Sequence, residues 1–174
     1  MQNMFRFMVT MISQFEVELK IVMYMQSLLK ICLATPELLK DEKQSSLSQN
    51  CFATLNLLEY PHSSIFYNYI GELKQKIEET LGTNLEYFYM HMVDYTNGGV
   101  MRKHKHDHNE DYSFILYLNS CDDGATVLHL EEPYSVQPRL GNLLLFSSSI
   151  LHSSNYSKSK QVLVGGLKVK QKEF

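Results

Sequence analysis

Cysteine is scarce in this chain of 174 residues: Cys32, Cys51 and Cys121 are odd in number and share no C-x-x-C or other paired spacing. That speaks against a disulfide framework and for a reducing compartment. Each reads as a small core or surface residue. Long apolar runs are also missing. The Met-, Phe- and Val-rich N-terminus is interrupted by Arg6, Glu16, Glu18 and Lys20, so no stretch of about 20 uncharged apolar residues forms. An early basic region, a short apolar core and a small-residue cleavage site are not seen there either, so no secretory signal is expected. The expectation is a soluble, cytoplasmic protein without a membrane partner.

Nor is there an excess of one charge. Sixteen Lys and Arg against 19 Asp and Glu give a formal charge of -3, and nothing pulls the chain as a whole toward nucleic acid or anionic lipid. Arg102, Lys103 and Lys105 form a local basic cluster, which is ordinary solvated surface; nucleic-acid binding is unsupported. Internal repeats and low-complexity tracts are lacking. What is present is globular: 44% hydrophobic and 20% charged residues, enough for one domain with a sizeable core.

Along the chain, Phe15, Val17, Leu19, Ile21 and Met23 are apolar with polar Glu16, Glu18 and Lys20 between them, a pattern that predicts a half-buried strand. A helix is expected around Met25–Leu33, stopped before Pro36. Residues 40–50 are polar without periodicity and read as a loop. Ser63 and Ser64 can cap a helix whose apolar face is Ile65, Phe66, Tyr69, Leu73 and Ile77, with Gly82 as its stop. From there the character changes. Leu85–Tyr95, Ser113–Asn119, Thr126–Leu130, Gly141–Ser147 and Gln161–Val169 are short β-type runs separated by Gly, Asn, Asp or Pro, the signature of a sandwich or barrel. The chain therefore divides into a mostly helical flank, residues 1–84, and a β core, residues 85–174.

The segment Met101–Glu110 (MRKHKHDHNE) concentrates potential metal ligands: three histidines, Asp107 and Glu110. Residues i and i+2 of a strand share a face, so His104 and His106 can reach one ion. Asp107 points away unless the strand has already turned. His152 stands at the end of the apolar run Leu143–Ile150. Two histidines and a carboxylate on one face, with open positions, bind non-haem Fe(II). A His-rich turn by itself is equally a solvated hairpin, and His152 alone is compatible with a satisfied core histidine.

Five segments in order carry a resemblance. Met92-Val-Asp-Tyr-Thr-Asn-Gly-Gly-Val-Met-Arg-Lys-His104 resembles the approach strand and Gly-rich turn of prolyl-4-hydroxylase-like 2-oxoglutarate/Fe(II) dioxygenases, which lead to the first ligand of an H-x-D pair. Ser113-Phe-Ile-Leu-Tyr-Leu-Asn119 is similar to the family's next strand, and Gly124-Ala-Thr-Val-Leu-His-Leu130 to its Gly-Gly-x-Leu strand. Val136-x-Pro-x-x-Gly-x-Leu-Leu-Leu-Phe146, followed by His152, resembles the pair that delivers the distal histidine. Ser159-Lys160-Gln-Val-Leu-Val resembles the last strand, whose first basic residue grips the co-substrate. The match spans about residues 85–169, half the chain.

The resemblance implies an α+β, mainly β architecture: a double-stranded β-helix, or cupin-like jelly-roll barrel, with flanking N-terminal helices. It implies an Fe(II)- and 2-oxoglutarate-dependent dioxygenase that uses O2, releases succinate and CO2, and hydroxylates an unidentified substrate. His104 and His152 would be iron ligands; Tyr117 and Lys160 would hold the distal carboxylate of 2-oxoglutarate. No catalytic residue beyond the metal site is implied. Without the family, Tyr117 is a core aromatic and Lys160 a loop lysine beside Lys158, and the family often has Arg there. Tyr95 either lines the pocket or packs.

One departure matters: His106 stands where the H-x-D aspartate belongs, as in phage and bacterial members with H-x-H. The third ligand is then His106, Asp107 or Glu110. A three-His site carries one more positive charge than a two-His, one-carboxylate site. Cupins outside the 2-oxoglutarate group are also similar. Gly98, His104, His106 and Glu110 fit much of the cupin first motif; Tyr117 takes the place of its closing Gly. Gly141 and His152 fit the second motif's spacing, although Ser147 and Ser149 replace its Pro and Gly. That alternative is a metal-binding enzyme or sensor without co-substrate; a non-catalytic binding barrel is the other. Both families share the barrel. The substrate loops are expected in residues 40–62 and 120–124.

Overall fold

The computed structural model describes residues 11–40, 47–106 and 109–171. In chain order it contains β1 (Ile12–Glu16), α1 (Leu19–Leu33), β2 (Ser48–Gln49), β3 (Phe52–Ala53), α2 (Ser64–Leu81), β4 (Leu85–Asp94), β5 (Gly99–His104) and β6 (Tyr112–Tyr117). β7 (Thr126–Leu128), β8 (Tyr134–Val136), β9 (Asn142–Ser147), β10 (His152–Ser157) and β11 (Gln161–Val169) complete it. Two sheets form, one in the order β1-β9-β6-β11-β4-β3 and the other β2-β5-β10-β7-β8, with antiparallel neighbours throughout. This is the double-stranded β-helix, mainly β with two helices.

The larger sheet is covered on both faces, which explains its nearly unbroken apolar strands. On β6, Phe114 and Leu116 face the helices, where they join Ile21, Met25 and Leu29 of α1 and Phe66, Leu73 and Ile77 of α2. Ile115 and Tyr117 of the same strand face the smaller sheet. β9 divides likewise, with Leu143 and Leu145 outward and Leu144 and Phe146 inward. Alternation across the pleat is preserved; both sets are apolar because both faces are buried. A fully buried Leu or Phe side chain is worth about 1.5–3 kcal/mol, so this two-sided packing dominates the fold's stability.

The strand expected across residues 15–23 is not continuous. β1 ends at Glu16, and α1 begins at Leu19, six residues before the expected helix start. Ile21, Val22, Met25, Leu29 and Cys32 lie buried along one helical stripe. Leu19 and Met23, which completed the alternation, are both 57% exposed. Period-2 and period-3.6 patterns coincide over so short a window, and packing beneath the large sheet selected the helix. β1 still pairs with β9, Ile12 against Phe146 and Glu16 against Asn142.

α2 starts and stops where its ends predict. Ser63 Oγ accepts from the Phe66 N–H at 3.4 Å, and Gly82 takes the left-handed conformation at φ 65° while donating its N–H to Glu78 O at 2.8 Å. Its buried face is Phe66, Ile70, Leu73 and Ile77; Ile65, expected there, is exposed. In the polar segment read as a loop, Ser48 and Gln49 instead pair with Met101 and Val100 of β5. β5, β8 and β10 are strands the apolar pattern did not mark. β10 (HSSNYS) buries Ser154 and Ser157, so its inward positions are polar and show no hydrophobic alternation.

Candidate metal and anion site

β5 ends and β10 begins at the same level of the smaller sheet, with His104 directly opposite His152. His106, two residues beyond β5, is tied to the β9–β10 turn by its N–H, which donates to Ser148 O at 2.9 Å. The three imidazoles thereby converge. Ring centroids lie 4.2 Å apart for His104 and His152, 4.8 Å for His104 and His106, and 5.4 Å for His106 and His152. One donor atom from each lies within 4.8 Å of the others, the cluster of potential metal ligands among the described residues.

The rings are aimed by their own strands. His104 Nδ1–H donates to Arg102 O at 2.8 Å, and His152 Nδ1–H donates to Ile150 O at 2.9 Å. With Nδ1 protonated for these bonds, Nε2 carries the lone pair, as metal-ligating histidines require. Burial, and then the neighbouring His104, push His152 down to about 3 from its ordinary 6.5. His152 is therefore neutral and competent to donate at neutral pH.

Of the carboxylates weighed as third ligand, Asp107 lies outside the described residues. Glu110 is not in the cluster. It stands behind His106, with Oε1 3.7 Å from His106 Nδ1 and only 2% of the side chain exposed. Ser113 Oγ donates to the same oxygen at 2.9 Å and Tyr89 O–H at 3.3 Å. Burial outweighs these two hydroxyls and raises the carboxyl to about 7.

A cavity of about 540 Å³ extends from the three histidines between the sheets, and its lining includes Tyr95, Thr126, Ser154 and Lys160. Lys160 is 1% exposed. Its Nζ donates to Ser154 Oγ at 2.7 Å, Gly124 O at 2.9 Å and Thr126 Oγ1 at 3.3 Å, and lies 4.8 Å from the centroid of the Tyr95 ring. No carboxylate among the described residues forms an ion pair with it. Burial lowers Lys160 to about 8. A buried cation held only by neutral acceptors and ring faces is a place for an anion.

Tyr117 is fully buried, and its hydroxyl donates to Thr126 Oγ1 at 2.8 Å. Thr126 thus links Tyr117 to Lys160 and presents its own hydroxyl to the cavity. Residues 120–124 brace this end from behind: Asp123 accepts from Ser157 Oγ, Lys158 N–H and Ser159 Oγ. Gly124 has φ 71°, and a Cβ there would meet Ser157 Cβ at 2.7 Å and Lys160 Cδ at 3.0 Å, so only glycine lets the lysine stem pass. Thr126 and Ser154 were not singled out in the sequence. Ser154 could have been found, because it follows His152 by two residues on one strand and shares its face.

No family model matches the sequence, and no curated protein matches it either. Comparison of folds is informative. A Pseudomonas putida prolyl-4-hydroxylase superposes with a TM-score of 0.71 at 19% identity, covering 93% of this chain and 94% of that one. The viral collagen prolyl hydroxylase of Paramecium Bursaria Chlorella virus-1, in complex with 2-oxoglutarate, gives 0.67 at 12% identity over 91% and 96%. HygX of Streptomyces hygroscopicus, with nickel and 2-oxoglutarate bound, gives 0.61 at 11% identity over 92% and 84%. The chain shares its fold, the double-stranded β-helix, with these structures.

Proposed function

We propose that the protein is an Fe(II)- and 2-oxoglutarate-dependent dioxygenase of the prolyl-4-hydroxylase-like type, hydroxylating a substrate yet to be identified. One observation carries this reading: a buried lysine with only neutral acceptors shares a single cavity with three convergent imidazoles. His104, His106 and His152 would hold the metal, and Lys160, supported by Tyr117 and Thr126, would hold the distal carboxylate of 2-oxoglutarate. Residues 85–174 would be the catalytic core, with residues 1–84 as the flank packed on it. No described helix is long and apolar enough to cross a membrane.

The residues present fit these groups. The Nδ1 bonds of His104 and His152 leave Nε2 for a metal, and borderline imidazole donors suit Fe(II). Iron and 2-oxoglutarate, when bound, supply oxidative decarboxylation with O2, yielding succinate and CO2 and the oxidising power to hydroxylate a C–H bond. The chain does the positioning. Lys160 places its charge in the cavity with its three N–H groups on Ser154 Oγ, Gly124 O and Thr126 Oγ1. A carboxylate would take over one of these donors, the longest being that to Thr126, and charge-assisted bonds from a desolvated ammonium are the strong kind. Strands β5 and β10 set His104 and His152 in the lining of the same cavity. Val162 and Phe146 form part of the apolar wall of that cavity.

The test is stoichiometric succinate formation from 2-oxoglutarate by anaerobically iron-loaded protein on admission of O2. Lys160→Ala should abolish that turnover and 2-oxoglutarate binding while leaving metal content intact. Iron-loaded protein that neither binds nor consumes 2-oxoglutarate would sink the proposal.

A further inference from the structure

We propose that Glu110 is the positioning residue of the metal centre, supplying from behind His106 the negative charge that an H-x-D aspartate would supply as a ligand. The inference rests on the metal-site reading above and concerns its third member. Four observations support it. The carboxylate is buried, 3.7 Å from His106 Nδ1. Its Oε1 accepts from two hydroxyls, Ser113 and Tyr89, while Oε2 has no hydrogen-bond partner among the described residues. β11 makes room for it: a Cβ on Gly166 would lie 1.7 Å from Glu110 Oε2, and the β11–β4 register shifts between Gly166 and Leu167. The backbone carrying it is clamped, with Ser148 Oγ donating to Glu110 O and the Asp111 N–H donating to Leu167 O at 2.8 Å.

A carboxylate buried against two neutral hydroxyls is costly unless a positive charge lies beside it. The group facing it here is the imidazole of His106. An imidazole that gives its other nitrogen to a divalent cation becomes a stronger N–H donor, and a carboxylate behind it fixes the ring and raises its basicity. Three neutral imidazoles leave a dication with its full charge, and Glu110 lowers the net charge by one without occupying a coordination position. This assigns Nε2 of His106 to the metal and Nδ1–H to Glu110, the 3.7 Å gap closing to a hydrogen bond when the metal is bound, and matches the tautomers that backbone carbonyls impose on His104 and His152.

The experiment uses the full chain loaded with Zn(II) for ring-nitrogen NMR, and with Co(II) for affinity by chelator competition. The wild-type Zn(II) form should show His106 protonated on Nδ1, with a downfield proton that is lost in Glu110→Gln. Co(II) affinity should fall about 10- to 100-fold in Glu110→Gln. Gly166→Ala, which keeps the charge but displaces Oε2, should weaken Co(II) in the same direction. A metal-bound Nδ1 on His106, direct ligation by Glu110, or wild-type affinity and ring shifts in Glu110→Gln overturns the inference. The wild-type spectrum alone decides if a variant fails to fold. Absence of Zn(II) and Co(II) binding in the wild type overturns the metal site itself; metal results as expected with no succinate formation overturn only the dioxygenase reading.

Discussion

The two faces of the larger sheet are built from the same strands yet do different work. Outward, Phe114, Leu116, Leu143, Leu145 and Leu163 meet the two helices in a purely apolar cluster. Inward, Ile115, Tyr117, Leu144, Phe146 and Val162 share the space between the sheets with Lys160, Thr126 and the three histidines. The outer face gains stability from tight packing. The inner face keeps a cavity, a buried cation and a buried carboxylate, each of which lowers stability. Neighbouring residues on one strand, separated by a single pleat, thus belong to different functions.

Substitutions should separate the faces cleanly. The largest effect is expected from His152→Ala: stoichiometric metal binding is lost, measured by metal analysis after anaerobic loading, while cooperative unfolding is retained. Metal retained at wild-type affinity would remove His152 from the centre. Leu116→Ala, on the outer face, should behave oppositely. It should cost about 2–5 kcal/mol in denaturant unfolding and leave metal stoichiometry unchanged; a coupled loss of metal would mean that the faces are not independent.

The third effect depends on pH. Lys160 sits at about 8 in the folded protein against an ordinary 10.5, and only its charged form attracts a carboxylate. Affinity for 2-oxoglutarate should be level below pH 8 and decline by up to about tenfold per unit above it. The same shift has a stability sign. Between about pH 8 and 10.5 the unfolded chain binds more protons than the folded one, so Lys160's share of stability is complete above the unfolded value and lost as pH falls through about 8. Lys160→Met should remove both dependences, and titration calorimetry with parallel melts reads them; a pH-independent wild-type affinity would contradict the assignment. The smallest effect is that of Tyr117→Phe. Its hydroxyl bonds Thr126, so 2-oxoglutarate affinity should fall only about fivefold, equivalent to about 1 kcal/mol.

Much of this was legible in one dimension. The runs of β6, β9 and β11 announced strands; Ser63 and Gly82 marked the ends of α2; and strand period placed His104 and His106 together. His152 and Lys160 were legible through the order of short motifs. The alternation at Phe15–Met23 misled because a nine-residue window fits a strand and a helix alike. β10 was illegible because its buried positions hold serine, whose hydroxyls serve Lys160 instead of a hydrophobic core.

By itself, then, the sequence determined which residues could ligate, which runs had to be buried, and that no disulfide framework was in play; these depend on side-chain chemistry and local period. Tertiary structure alone decided that His104 faces His152 across β5 and β10, that Lys160 is buried with no ion-paired carboxylate among the described residues, and that Glu110 stands behind His106 rather than within the cluster of three imidazoles. The first is set by strand register between distant parts of the chain, the second by which side chains the two sheets enclose, and the third by how the β5–β6 connection is clamped to β9–β10 and β11. None has a local signal, because packing on both faces of a sheet fixes register.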